Sequence, residues 1–461
     1  MQCSFLQSLC VAAVFVSTLG IGPAFAAEDT LQAEIELLAK PYIDAEMVVG
    51  ISIGVLKADE ETTTHLGHTS SKGKRPDDDT VYEIGSVSKV FTGILIADAV
   101  VREKVRLEQS AQELLPENVT MPAGRDRSIT ILDLATHKSG LPRITNNMPS
   151  LKTDNPYADY TSKLAYVFLN GHKLRRSPGE KYEYSNFGMS LVGHLISKNA
   201  KLSYDELLRQ RIAEPLGMNA TGVVMSKSMK QRLATPFSAF GTKTSTWEFA
   251  DMPGAGGIRS STKDMLLFAR AHLAPPDDEI GRAIELAWKK HTDDDAKGPT
   301  MGLGWHFAAD GTTRWHNGQT GGYHSMLLID RESKLAVVLL ANTGYLGLDR
   351  LATDVMRILN GDEVKPRTFE KSVRVAKKVM ERYVGKYELA PMFVFTVSVK
   401  DDKLMVGVTN QPTHQVFARS ETEWFYKVVN AKLKFQLDDD GKCTSLKLLQ
   451  NGITQTAKRI K

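Results

Sequence analysis

Three serine-centred segments offer a nucleophile. Gly50-Ile51-Ser52-Ile53-Gly54 has the Gly-x-Ser-x-Gly spacing of a nucleophile elbow, but an elbow needs a helix directly after its serine. Here Val55-Leu56 prolongs the apolar run into Lys57-Ala58-Asp59, so the segment reads as a core strand marked by glycines. Ser86-Val87-Ser88-Lys89 and Ser260-Ser261-Thr262-Lys263 both have Ser-x-x-Lys spacing. On the first turn of a helix, that spacing puts a hydroxyl and an amine on one face. The amine can then take the serine proton, while free N–H groups and the helix dipole face a developing oxyanion.

Their surroundings separate the last two. Ser260 opens an amphipathic helix with the capping-box-like start Ser261-Thr262-Lys263-Asp264, so a structural role explains it. Lys89 is followed by Val90, Phe91, Ile94 and Leu95. A lysine in the first turn of a buried helix is costly unless it is paired or functional, and burial lowers its pKa toward the free base. Ser86 is therefore the stronger candidate nucleophile, with Lys89 beside it. Downstream, Tyr184-Ser185-Asn186 is the only Tyr-x-Asn of the chain. Read structurally, it is a tyrosine packed at a helix start with Asn186 as the cap. In Trp315-His316-Asn317-Gly318-Gln319-Thr320-Gly321-Gly322, a histidine lies between strands and glycines follow it. Such glycines let a substrate approach the backbone.

These residues need elements to hold them. Residues 48–56 read as a strand, and residues 86–104 as a helix apolar on most faces, hence central and buried. Helical patterns recur near 129–137, 159–170, 186–199, 203–212 and 262–273, and strands near 301–308, 323–330 and 335–341. Strands at both ends with helices between predict one mixed α/β domain over residues 27–360, its sheet completed by both ends of the segment. Residues 361–382 read as a linker. Short alternating runs with turn signals over 383–461 predict an antiparallel β domain, a barrel or a sandwich.

Composition narrows the function. The 58 Lys plus Arg against 54 Asp plus Glu leave +4 over 461 residues, which gives no case for nucleic acid as a partner. Cys3, Cys10 and Cys443 are the only cysteines, too few for a disulfide framework or a Cys-rich zinc site. Residues 9–26 are uncharged and mostly apolar and end in Ala24-Phe25-Ala26. Residues 1–26 thus read as a signal peptide, which predicts export to the periplasm or medium, no stable membrane span after cleavage, and Cys443 left alone.

The order Ser-x-x-Lys, Tyr-x-Asn, His-x-Gly makes a resemblance specific. Tyr82-Glu83-Ile84-Gly85-Ser86-Val87-Ser88-Lys89-Val90-Phe91-Thr92-Gly93 resembles the active-site segment of class C β-lactamases. The wider family includes D-alanyl-D-alanine carboxypeptidases, D-aminopeptidases and esterases. Leu134-Ala135-Thr136-His137-Lys138-Ser139-Gly140-Leu141-Pro142, the Pro178-to-Asn186 stretch and Ala255-Gly256-Gly257-Ile258-Arg259-Ser260-Ser261 are similar to that family too. The resemblance spans roughly residues 35–360. It implies a β-lactamase/transpeptidase-like fold, with a central antiparallel sheet flanked by helices and an all-helical region.

The resemblance also implies roles. Ser86 would form an acyl-enzyme, Lys89 and Tyr184 would share the base role, and nearby cations would hold Tyr184 partly as phenolate. Asn186 would hydrogen-bond the substrate amide and the lysine. His316 and Gly318 would belong to the substrate site, and the N–H groups of Ser86 and Gln319 would form the oxyanion hole. No metal or organic cofactor is implied, and the partner is a small-molecule or peptide substrate. Class C β-lactamases usually carry lysine where this chain has His316, a permanent cation replaced by a mostly neutral ring. Arg143 offers compensation, but reads first as a surface arginine. The leading reading is a hydrolase of β-lactams or D-amino-acid amides. An esterase is its rival, and a penicillin-binding sensor without turnover the non-enzyme alternative.

Overall fold

In a computed structural model, residues 24–149, 154–292 and 298–460 are described. The signal-peptide reading lies outside them except for Ala24–Ala26, which begin a helix running Ala24–Asp44. Among the described residues no helix is long and apolar enough to cross a membrane.

A six-stranded antiparallel sheet holds the catalytic region together. Its order is Glu60–Gly67, Gly50–Lys57, Leu335–Ala341, His324–Asp330, Thr313–Gln319 and His306–Phe307. Gly50–Lys57 and Leu335–Ala341 pair in register from Ile51 with Ala341 to Lys57 with Leu335, so the two ends of the segment do complete the sheet. Every residue of Leu335–Ala341 is buried because both faces of the sheet are covered. Ala336, Val338 and Leu340 enter a core shared with the helical region. Val337, Leu339 and Ala341 point the other way, against the helices Ala24–Asp44 and Leu348–Leu359. That is the two-residue period of a strand feeding two cores.

The predicted helix over 86–104 is split. Gly85–Val87 forms a 3-10 turn and the α-helix runs Ser88–Val101, buried at every residue from Ser88 to Ala99. Asn186–Ala200 packs beside it, as do Thr262–Leu273 and Glu279–Trp288. The expected helix over 203–212 ends at Leu208 and continues as a π turn, Arg209–Ala213. The strand near 301–308 shrinks to His306–Phe307.

Eight antiparallel strands between Gly385 and Arg459 close into a barrel, Tyr387 pairing with Arg459. Closure decides between the two architectures expected for this segment. Tyr383, Tyr387, Phe395, Trp424 and Phe435 are buried within it, and Cys443 is a buried free thiol. His414 of the barrel stacks on Phe240 with centroids 3.4 Å apart, and Lys427 Nζ lies 3.1 Å from Glu46.

Candidate active site

Ser86 sits on the 3-10 turn that precedes the central helix. Gly85 makes this turn possible, with φ of +49° in the left-handed region. The turn presses on the strand Thr313–Gln319: a Cβ on Gly85 would lie 2.6 Å from the Gln319 backbone nitrogen. Ser325 Oγ fastens the contact by donating to the Ile84 carbonyl at 2.7 Å. Ser86 and Gln319 are thereby brought to one edge of a cleft.

Lys89 Nζ donates to Ser86 Oγ at 3.0 Å and to the Ala255 carbonyl at 2.7 Å. The lysine is fully buried, and neither partner is a carboxylate. Burial drives its pKa far below the ordinary lysine value, and the charge of Arg143 adds to the effect. Burial thus favours the free amine against the serine hydroxyl. Its nitrogen is 4.8 Å from the centroid of the Tyr184 ring, and the Arg143 guanidinium is 4.9 Å from the same centroid. Burial raises the Tyr184 pKa well above its usual value, with the Ser86 hydroxyl and Arg143 only partly offsetting it. The phenol is therefore protonated, against the expectation of a partial phenolate, because burial of the anion outweighs the nearby cation.

Ser185, rather than Asn186, caps the next helix by accepting from Gly188 N at 2.8 Å. Asn186 Nδ2 donates to the Tyr157 hydroxyl at 3.2 Å, and Asn186 Oδ1 is buried without a partner. The expected bond from Asn186 to the lysine is replaced by the Ala255 carbonyl. His316 is 1 % exposed and lies behind the cleft wall rather than on it. Its Nδ1 meets the Asn317 carbonyl at 2.6 Å, and its Nε2 has no partner. Burial keeps the ring neutral. At Gly318 the approaching group is the protein itself: a Cβ would be 2.0 Å from the Ile84 carbonyl oxygen. The glycine there admits the Ser86 turn, not a ligand.

The cleft encloses about 660 Å³ and is lined by Ser86, Tyr184, Asn186 and Gln319, with Tyr157, Trp247 and Phe249 as an aromatic wall. Arg143 and His306 also line it. Sequence reasoning set Arg143 aside as a surface residue and missed Tyr157, Trp247, Phe249 and His306. Only the helix-start motif around Tyr184 pointed to this wall.

The rival serines lie elsewhere. Ser52 Oγ is 2.9 Å from His65 Nδ1, and His65 Nε2 is 2.9 Å from Asp78 Oδ1. This is a serine–histidine–aspartate chain, but Ser52 is fully buried within its strand and also bonds the Tyr82 hydroxyl. Ser260 is buried against Thr221 at 2.8 Å, and Ser261 caps the following helix.

A serine hydroxyl beside a buried amine whose pKa is lowered, a neutral phenol and the Gln319 backbone at one edge of the cleft form a constellation suited to acyl transfer. A model of the Beta-lactamase family matches residues 35–360, and one of a domain of unknown function, DUF3471, matches residues 370–458. A beta-lactamase of Escherichia coli (strain K12) is 24% identical over 380 residues, covering 74% of this chain and 95% of that protein. The D-alanyl-D-alanine-carboxypeptidase/endopeptidase AmpH of the same strain is 24% identical over 273 residues, 56% of this chain and 69% of its own. A solved class C beta-lactamase superposes with a TM-score of 0.64 at 19% identity, covering 73% of this chain and 98% of that one. At such identity the likeness speaks to the fold.

Proposed function

The chain belongs to the Beta-lactamase family, whose members of known activity are serine hydrolases, and from that premise we propose that it opens β-lactam amides through an acyl-enzyme on Ser86. The observation that carries this reading is the 3.0 Å contact between Ser86 Oγ and a buried lysine with no carboxylate partner. In the proposed sequence Ser86 Oγ attacks the carbonyl carbon and its proton passes to the neutral Lys89 amine. The carbonyl oxygen becomes an oxyanion received by the N–H groups of Ser86 and Gln319, each such donor being worth about 2.7–4 kcal/mol in a transition state. As the C–N bond breaks, Tyr184 gives its proton to the leaving nitrogen, and the Lys89 ammonium returns one to the phenolate. Both groups end neutral, as they began. Water then repeats the cycle on the ester.

A D-alanyl peptide substrate is the second reading, supported by the AmpH relative; the chemistry is the same with a peptide nitrogen leaving. Export from the cytoplasm remains part of the proposal. The test is a panel on one purified sample: a chromogenic cephalosporin, a D-alanyl-D-alanine peptide and p-nitrophenyl acetate, each with wild type and Ser86→Ala. Cephalosporin turnover with a transient acyl mass on Ser86 is the expected result. Peptide turnover without cephalosporin turnover selects the second reading. Ester turnover alone selects an esterase, and activity retained by Ser86→Ala removes the proposal altogether.

A further inference from the structure

We propose that Glu83 is a positioning residue of this cleft: its carboxylate clamps the aromatic wall to the strand that leads into Ser86, and the clamp loosens when the carboxylate takes a proton. The inference deepens the acyl-transfer reading above, on which its kinetic half rests, by making the fit of substrate against Trp247 and Phe249 depend on pH.

Glu83 ends the short strand Val81–Glu83, three residues before Ser86, and pairs there with Arg259. Both side chains are buried. Glu83 Oε1 accepts from Trp247 N at 2.7 Å and lies 3.4 Å from the Arg259 guanidinium. The Thr320 hydroxyl, next to Gln319, also helps to hold the carboxylate as an anion. Arg259 in turn donates to the Trp247 carbonyl, and to Glu248 at 3.1 Å. One buried ion pair thus joins the Ser86 strand to two other segments that line the cleft, at Trp247 and Thr320. The indole is packed on both sides. A Cβ on Gly321 would lie 2.9 Å from Trp247 Nε1, and the ring is 5.3 Å from that of Tyr157, which stacks on Phe249. A shift of the Trp247 backbone therefore moves the whole wall.

The clamp has a place for a proton. Glu83 Oε2 is buried without a partner, so a proton there displaces no donor. Burial raises the Glu83 pKa to about 7, against the pull of Arg259, the Thr320 hydroxyl and the Trp247 N–H. Among the described residues, the charged and titratable groups that face it are Arg259 from the paired strand, Glu248 from the wall segment and Tyr323 from the segment after Thr320. Burial keeps the last of these neutral. Protonation turns the bonds from Arg259 and Trp247 N from charge-assisted to neutral, which about halves their strength. Arg259 keeps Glu248 and the carbonyls of Val223 and Gly257, at 2.9 and 3.3 Å. The cation stays in place while the tie from Glu83 to the wall weakens.

The first measurement needs no turnover. Tryptophan emission is followed from pH 5.5 to 8.5 in wild type, Trp247→Phe and Glu83→Gln. Wild type is expected to show a step with its midpoint near the Glu83 pKa of about 7, and both variants to lose it. No step in wild type, or a step kept by either variant, overturns the clamp. If Glu83→Gln does not fold, Thr320→Val takes its place: losing a donor to the anion should move the midpoint upward, and an unmoved midpoint overturns the proposal. The second measurement is KM and kcat at pH 8 and pH 6, on the panel substrate that wild type turns over best. In wild type KM should rise about threefold or more at the lower pH, whereas Glu83→Gln should have the higher KM at both. The pH dependence of kcat should be the same in the two proteins. A KM that moves equally in both overturns the positioning role. A wild type inactive on the whole panel, with the emission step intact, overturns the acyl-transfer reading but not the clamp.

Discussion

Gly318→Ala is the sharpest perturbation available, because the structure fixes what one methyl group does. The new Cβ would lie 2.0 Å from the Ile84 carbonyl oxygen and 2.4 Å from Ser325 Oγ. Ordinary contact begins at 3.4 Å, so strand and turn must part by more than 1 Å. Ser325 can rotate, but the Ile84 carbonyl is backbone and belongs to the turn that carries Ser86. The separation therefore falls between Ser86 and the backbone nitrogen of Gln319. Losing one oxyanion donor costs about 2.7–4 kcal/mol, or 10²–10³ in kcat. The assay is steady-state hydrolysis of whichever panel substrate wild type turns over best, with the acylation rate followed by mass spectrometry. Urea unfolding checks the fold. We expect kcat to fall at least a hundredfold, with KM changed much less. A folded variant within threefold of wild-type kcat would refute both the placement of the oxyanion site and the reason given for this glycine.

Other expectations follow from the buried groups. Because burial lowers the Lys89 pKa, the acidic limb of the kcat/KM profile should have its midpoint well below the ordinary lysine value of about 10.4; a midpoint at that value would refute the free-amine assignment. Ser260→Ala loses one buried hydroxyl contact, so stability should drop by about 0.5–1.5 kcal/mol and activity stay within twofold; a dead but folded variant would reverse the choice of nucleophile. His306 is neutral in the fold and its pKa is lowered to about 4. Unfolding lets it take a proton below pH 6.5, so its contribution is intact above that pH and is lost as pH falls toward 4. The loss is about 3 kcal/mol; between pH 7.5 and 4.5 urea titrations should show wild type losing more stability than His306→Gln by most of that amount, the other buried histidines contributing equally to both.

Much of the reacting centre was legible because it depends on local spacing. Lys89 stands three residues after Ser86 in an apolar run, and burial plus helical geometry follow from that alone. Tyr184 stood out by its unique motif, but its protonation state did not, since that depends on how deeply other segments cover it. The seat of His316 follows from strand alternation: if Gln319 faces the cleft, Trp315 and Asn317 share its face, while His316 and Gly318 take the other. Arg143, Tyr157, Trp247 and Phe249 reach the cleft on long connections whose path no periodicity determines. The barrel's strands could be read from alternation and turns, whereas the pairing of Tyr387 with Arg459 is a long-range closure without a local signature.

The register that joins Ile51 to Ala341 also bears on how the polypeptide is made. A nascent chain emerging from the ribosome has its first sheet strand early, but the strand that shields the other edge is among the last parts of this domain to be synthesised. Until it arrives, an apolar ribbon stays exposed, and contacts so far apart in sequence form slowly. The sheet of this domain therefore cannot be completed until residue 341 has been made, and the unfolded segment has a lifetime in which chaperones can act on it.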